Sequence, residues 1–208
     1  PTSSAGAHGI WGHIHVTKWA LSELNDDEMR AFFDAPEVQN AALFGSAFTD
    51  SGYWPAPAEI SSTARAYGEH THWEPFVQDF VTWILTNDPP PWTTLESKQR
   101  VGFLLGCAAH GLQDEVFDSL FLHHGEYHDG GDQEGLDPGT DGFLALDGYI
   151  DTVPTPWLPI EALIEVYAQA DITVNASLLE TMVNTMMSAY VNAEFGLALA
   201  RSIGEGLN

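Results

Sequence analysis

A histidine and two aspartates, His110, Asp114 and Asp118, follow one another at steps of four residues inside Val101 to Phe121 (VGFLLGCAAHGLQDEVFDSLF), which otherwise reads as a buried helix. Four residues advance about 40° around a helix, so the three side chains form one polar stripe on an apolar rod. Burying an imidazole and two carboxylates costs several kcal/mol unless a cation or hydrogen-bond donors compensate. The whole chain has only six Lys and Arg, so metal ions are the simpler compensation. The other histidines point the same way. All nine lie in the first 128 residues, grouped as His8/His13/His15, His70/His72, His110 and His123/His124/His128 with helical segments between them. Ligands sent from several helices to one interior site have this distribution. The plainer alternative is a set of surface histidines plus one capped core histidine.

Composition bounds the rest. At 208 residues, with 44% apolar and 12% aromatic side chains, the chain is long enough for one domain with a substantial core. No apolar run approaches the roughly 20 residues of a membrane span, and no charged, apolar signal segment is visible. The first residue, Pro1, suggests that something upstream was removed. The net charge of −24 opposes nucleic acid and anionic membrane surfaces as partners unless bound metal reverses the sign locally. Cys107 stands alone within the apolar helix and reads as buried packing.

Helical periodicity dominates, and the expected fold class is all-α with seven or eight helices. The elements read as His13 to Leu24 (with Ile14, Trp19, Ala20 and Leu21 at helix spacing), then Asn25-Asp26-Asp27-Glu28 capping a helix to Phe33. Pro36 starts a third helix towards Phe48. Thr49 to Gly68 reads as an ordered loop. Thr71 caps a helix through Leu85, and a long helix then runs to about His124. Gly125 to Gly139 suits an irregular loop that could wrap a cation. Shorter helices follow at Thr140 to Ile150, Pro159 to Ala170 and Ser177 to Ile203. Trp19, Trp73 and Trp83 sit at core spacing, Met182, Met186 and Met187 read as core, and Trp54 and Trp92 are candidates for a cleft rim. Asn175-Ala176-Ser177 reads as a helix cap in preference to a glycosylated sequon.

Five segments, in order, resemble the zinc-dependent phospholipase C family, on the side of the glycosylphosphatidylinositol-specific phospholipase D catalytic domain. They are Gly12-His13-Ile14-His15, Gly45-Ser46-Ala47-Phe48-Thr49-Asp50, Thr71-His72-Trp73-Glu74-Pro75-Phe76, Gly106 to Asp114, and Pro156-Trp157-Leu158-Pro159. The resemblance spans roughly residues 8 to 200. It implies an all-α, phospholipase C/P1 nuclease-like bundle holding two or three divalent metal ions, zinc first among them, in a cleft. Position by position, Asp50, His72, His110 and Asp114 match the ligands of one metal, Asp114 being shared or bridging. His13 matches the histidine of a metal near the chain start. Imidazole and carboxylate suit Zn²⁺, and paired cations clamp a phosphate and acidify a water.

Three departures bear on this. Asp118 stands where the family places a histidine, and Asp137-Pro138-Gly139-Thr140-Asp141 stands where it places a His-xxx-carboxylate pair. A second site built from Asp118, Asp137 and Asp141 is oxygen-rich, leaning towards Mn²⁺, Mg²⁺, Ca²⁺ or Fe, or left empty. His123, His124 and His128 read as exposed, or as substitutes completing that site. Finally, family members use a free terminal amine as ligand, whereas PTSSAGA precedes His8. Ala5-Gly6-Ala7 resembles a signal-peptidase site, so residues 1–7 read as a leader or processed end and 8–208 as a single domain, with His8 a further ligand. His15, two positions from His13, reads as structural.

The expected function is a secreted or periplasmic, metal-dependent phosphodiesterase acting on a phospholipid or glycosylphosphatidylinositol-like substrate through a metal-activated water oriented by Asp50. Contact with a membrane surface would be transient. The alternatives are a nuclease on the same scaffold, which the charge disfavours, and a metal-binding module whose altered second site has lost hydrolysis.

Overall fold

The computed structural model describes residues 10–53, 61–117, 119 and 153–188. Its elements are α1 (Ile10–Ser22), α2 (Asp27–Phe32), α3 (Pro36–Phe48), a 3-10 turn (Thr49–Tyr53), α4 (Ser61–Thr71), α5 (Glu74–Asn87), α6 (Leu95–Phe117), α7 (Ile160–Gln169) and a helix α8 over residues 176–188. No strand occurs among the described residues, and no described helix is long and apolar enough to cross a membrane.

The helix boundaries follow local chemistry. Asp26 caps α2 by accepting from Met29 N at 2.9 Å, and Thr94 caps α6 by accepting from Ser97 N at 3.1 Å. Pro36 occupies the first turn of α3, where its missing N–H costs nothing. Asn175 Oδ1 accepts from Leu178 N at 2.9 Å, the expected cap of α8. After α7 the chain turns at Asp171, whose φ of 57° an aspartate tolerates better than most residues.

One aromatic-rich core joins these helices. Phe44 and Phe48 from α3, Tyr67 from α4, Phe76 and Phe80 from α5, and Phe103 from α6 are fully buried. Met182 and Met186 of α8 are buried and Met187 packs beside them, as expected. Two glycine contacts set the frame of the site. Gly45 and Gly106 let α3 and α6 cross backbone to backbone, for a Cβ at Gly106 would stand 2.8 Å from Ser46 N. Gly52 and Gly68 do the same for the 3-10 turn and α4, where a Cβ on Gly68 would stand 2.9 Å from Gly52 Cα.

Several expectations need correction. Much of the loop expected over Thr49 to Gly68 is ordered helix: residues 49–53 form the 3-10 turn and α4 begins at Ser61. Thr71 does not cap α5. Its hydroxyl donates back to Tyr67 O (2.6 Å) and Gly68 O (3.0 Å), closing α4, and Trp73 holds the α5 cap position. Trp19 is 63% and Trp73 56% exposed. The inward face of α1 is Ile10, His13, Ile14 and Thr17, and Trp19 lies about 200° from Thr17. Trp92 is half-buried, packs against the core and donates from Nε1 to Asp88 O at 2.7 Å. Trp83 is buried as expected. Trp54, the 125–139 segment and the helix expected at 140–150 lie outside the described residues.

Candidate metal centre

Five of the expected site residues converge, brought in by four elements. His13 comes from α1, Asp50 from the 3-10 turn, His72 from just beyond α4, and His110 with Asp114 from successive turns of α6. His13 and His110 are fully buried and their rings stack, with centroids 3.6 Å apart. Trp11, between His8 and His13, is buried and pins the start of α1 to the bundle. His15 is half-buried and stands outside the cluster. His8, Asp118, Asp137, Asp141, His123, His124 and His128 lie outside the described residues.

Each clustered imidazole is held by its Nδ1. His72 Nδ1 lies 2.7 Å from Gly68 O, and His110 Nδ1 lies 2.7 Å from Ser46 O. A carbonyl oxygen only accepts, so both protons sit on Nδ1. In the neutral rings both Nε2 atoms are therefore bare lone pairs, and they face each other at 3.1 Å. Two carboxylate oxygens join them. Asp50 Oδ1 is 3.2 Å from His72 Nε2 and 3.7 Å from His110 Nε2. Asp114 Oδ2 is 3.2 Å from His110 Nε2 and 4.0 Å from His72 Nε2. Four donors around one tetrahedral cation at about 2.1 Å would stand about 3.4 Å apart. These five separations bracket that value, and His72, His110 and Asp114 each bring one donor atom within 4.8 Å of the others, so these residues could hold a divalent cation.

Asp114 is shared between two positions. While Oδ2 faces His110 and His72, its buried Oδ1 lies 3.1 Å from His13 Nε2 and makes no well-directed hydrogen bond. His13, Asp50 and His110 also bring one donor atom each within 4.8 Å of one another. A second cation beside the first would draw on these groups.

The electrostatics describe a proton-hungry cluster. Burial works against ionising Asp50, yet the charge on His110 and the hydrogen bond with His72 hold its carboxyl below the usual range. Burial likewise opposes ionisation of Asp114, and the bonds to His110 and His13 outweigh it, so this carboxyl also stays low. For His13 and His72, burial disfavours the charged ring, but bonds to Asp114 and Asp50 respectively raise both above the ordinary value. His110 is pushed down, by burial first and then by the charge on His13. Two ionised carboxylates thus face three imidazoles, and the negative charge is balanced either by protons on His13 and His72 or by a metal ion.

Sequence reasoning missed the supports of these rings. Ser46 O and Gly68 O are backbone atoms and leave no side-chain signal. Gln113 does leave one, lying between His110 and Asp114 in sequence: its Oε1 is 2.9 Å from His13 Nδ1 and its Nε2 donates to Thr17 Oγ1 at 3.0 Å.

No protein-family model matches the chain, and no solved structure matches it. Curated proteins do. The chain is 34% identical over 119 residues to the phosphatidylinositol-glycan-specific phospholipase D of Bos taurus, covering 56% of this chain and 14% of that protein. The Rattus norvegicus protein of the same name is 27% identical over 125 residues (59% and 14%), and the Homo sapiens one 29% over 119 residues (56% and 14%). The link is distant and partial: the chain spans about a seventh of the length of these relatives.

Proposed function

We propose that this chain is a metal-dependent phosphodiester hydrolase domain whose substrate is a phospholipid or a glycosylphosphatidylinositol-like lipid, on an all-α phospholipase C/P1 nuclease-like scaffold. The observation that carries this reading is the pair of Nε2 lone pairs at 3.1 Å, each ring locked by Nδ1 to a backbone carbonyl. Metal-ligating histidines characteristically donate their other ring N–H in this way. Supporting it are the five motif segments and the partial similarity to phosphatidylinositol-glycan-specific phospholipases D.

In this reading Asp50, His72, His110 and Asp114 would hold one cation, and His13 with Asp114, joined by His8, would hold a second. Asp118, Asp137 and Asp141 supply an oxygen-rich third set. Such cations polarise the phosphoryl group and lower the pKa of a bound water. The protein's own contribution is positional. The carboxylates of Asp50 and Asp114 are the least buried of these groups, 18% and 19% exposed, and that of Asp50 would orient the attacking water and accept its proton. Because its neighbours hold it firmly ionised, Asp50 is a ligand first and a base second. The localisation that goes with this reading is secreted or periplasmic. A nuclease reading is disfavoured by the net charge of −24.

The test is metal content and hydrolysis together. Protein dialysed against zinc should retain at least one tightly held ion and cleave phosphatidylinositol in mixed micelles, with chelation abolishing turnover. Retention of zinc with no cleavage of lipid or of a simple diester such as bis(p-nitrophenyl) phosphate would leave the metal-binding module as the correct reading. Failure to retain any divalent ion would overturn both.

A further inference from the structure

His72 and His110 are oriented by backbone carbonyls, but His13 is oriented by a side chain. It sits inside α1, and its Nδ1 is met from α6 by Gln113 Oε1 at 2.9 Å. The same amide reaches one turn further along α1, where Nε2 donates to the hydroxyl of buried Thr17 at 3.0 Å. A single side chain of α6 thus spans two inward positions of α1 that lie one turn apart.

We propose that Gln113 is a positioning residue that sets the tautomer of His13, an inference that rests on the metal-centre reading and deepens it. With the amide nitrogen committed to Thr17, the oxygen takes the ring proton at Nδ1, and Nε2 turns a lone pair towards Asp114 Oδ1, 3.1 Å away. A carbonyl can only accept, so the tautomers of His72 and His110 are fixed by the backbone. An amide has two faces. Flipped, it would offer N–H to Nδ1, put the proton on Nε2 and remove His13 from the donor set. Gln113 and Thr17 therefore decide whether the α1 side of the cluster can take a cation, while touching neither the cation nor the substrate. They also tie the register of α1 to α6, so the His13–His110 stack and the Asp114 contact are set by one amide.

Two measurements on the full chain test this. In metal-free protein, at a pH where the His13 ring is neutral, imidazole ¹⁵N spectra should show it protonated at Nδ1, and Gln113→Leu should abolish that preference. A ring protonated at Nε2, or a Gln113→Leu spectrum like the wild type, would overturn the proposal. In zinc titrations, Gln113→Leu should weaken binding about 10- to 100-fold, the range for losing a ligand's orienting partner. Gln113→Glu, still able to accept from Nδ1, should bind at least as tightly as wild type, and Thr17→Val should weaken binding several-fold without disturbing α6. Gln78→Leu, an exposed glutamine on α5, should change nothing. Equal loss in the Leu and Glu variants would refute the tautomer role. If wild-type protein takes up no zinc, the metal reading fails, and the ¹⁵N spectra still judge Gln113.

Discussion

Replacing Gly106 by Ala probes whether the α3–α6 crossing builds the site. A Cβ there would stand 2.9 Å from the Ala42 carbonyl carbon, 2.8 Å from Ser46 N, and closer still to the Ala42 oxygen. Carbon and carbonyl oxygen settle at about 3.3 Å, so the two helices must part locally by about 1 Å. The obstacles are backbone atoms of a neighbouring helix, which cannot rotate aside. Overpacking of this kind costs about 1–3 kcal/mol, and the backbone contact places Gly106→Ala near the upper end. Helix propensity returns only about 0.5–1 kcal/mol. The site should feel it too, because Ser46 and His110 lie one turn beyond Ala42 and Gly106. Parting the helices by about 1 Å takes the 2.7 Å His110–Ser46 bond beyond hydrogen-bonding reach. Urea unfolding of the metal-free protein should show a net loss of about 2 kcal/mol, and zinc titration a loss of about tenfold or more. Gly111→Ala is the internal control, since its Cβ would meet only His72 O at 3.3 Å. It should be near neutral. A Gly106→Ala protein as stable as Gly111→Ala, with zinc binding intact, would refute the claim that this crossing positions His110.

Three further outcomes are expected. His110→Ala should abolish tight zinc binding and turnover, because it removes the donor shared by both groupings; retained stoichiometric zinc would place the site elsewhere. The stability conferred by protons on His13 and His72, whose folded-state values are raised, is fully present below about pH 6.5 and lost as pH rises through the folded values. Through these two groups the Tm of metal-free protein should therefore fall as pH rises above about 6.5 while the increment added by zinc grows; an increment independent of pH would show that metal and proton do not compete. Tyr67→Phe removes the 2.6 Å bond to buried Ser51 and should cost about 1–2 kcal/mol. The double variant with Ser51→Ala should cost less than the sum of the two single variants, and strict additivity in chemical denaturation would show the pair uncoupled.

The sequence made the helices legible where boundaries are written in side chains: Pro36 opening α3, Asn175 capping α8, the apolar spacing of α5 and α7. It concealed α4, whose residues (SSTARAYGEHT) are largely small or polar. The inward positions Ala64, Tyr67, Gly68 and Thr71 do keep helical spacing, but only one of them is a large hydrophobe. Tryptophan misled for the opposite reason. Size suggested burial for Trp19 and Trp73, while face and position decided their exposure.

The polar stripe of His110 and Asp114 was readable, and so was its partnership with Asp50 and His72 through the motif resemblance. What no side-chain pattern discloses is the reason those rings face inward. Gly68 shows why site and fold were hard to separate: its missing Cβ admits the 3-10 turn that carries Asp50, and its carbonyl holds Nδ1 of His72. Ser46 follows the same logic on the other side. It lies next to Gly45 at the close crossing, and its carbonyl holds Nδ1 of His110. The glycines that look like packing devices thus set the distances between donors, and the residues that look like ligands depend on backbone atoms for their direction. A substitution that leaves every ligand in place and moves either crossing should therefore disturb metal binding, which is the outcome that Gly106→Ala isolates.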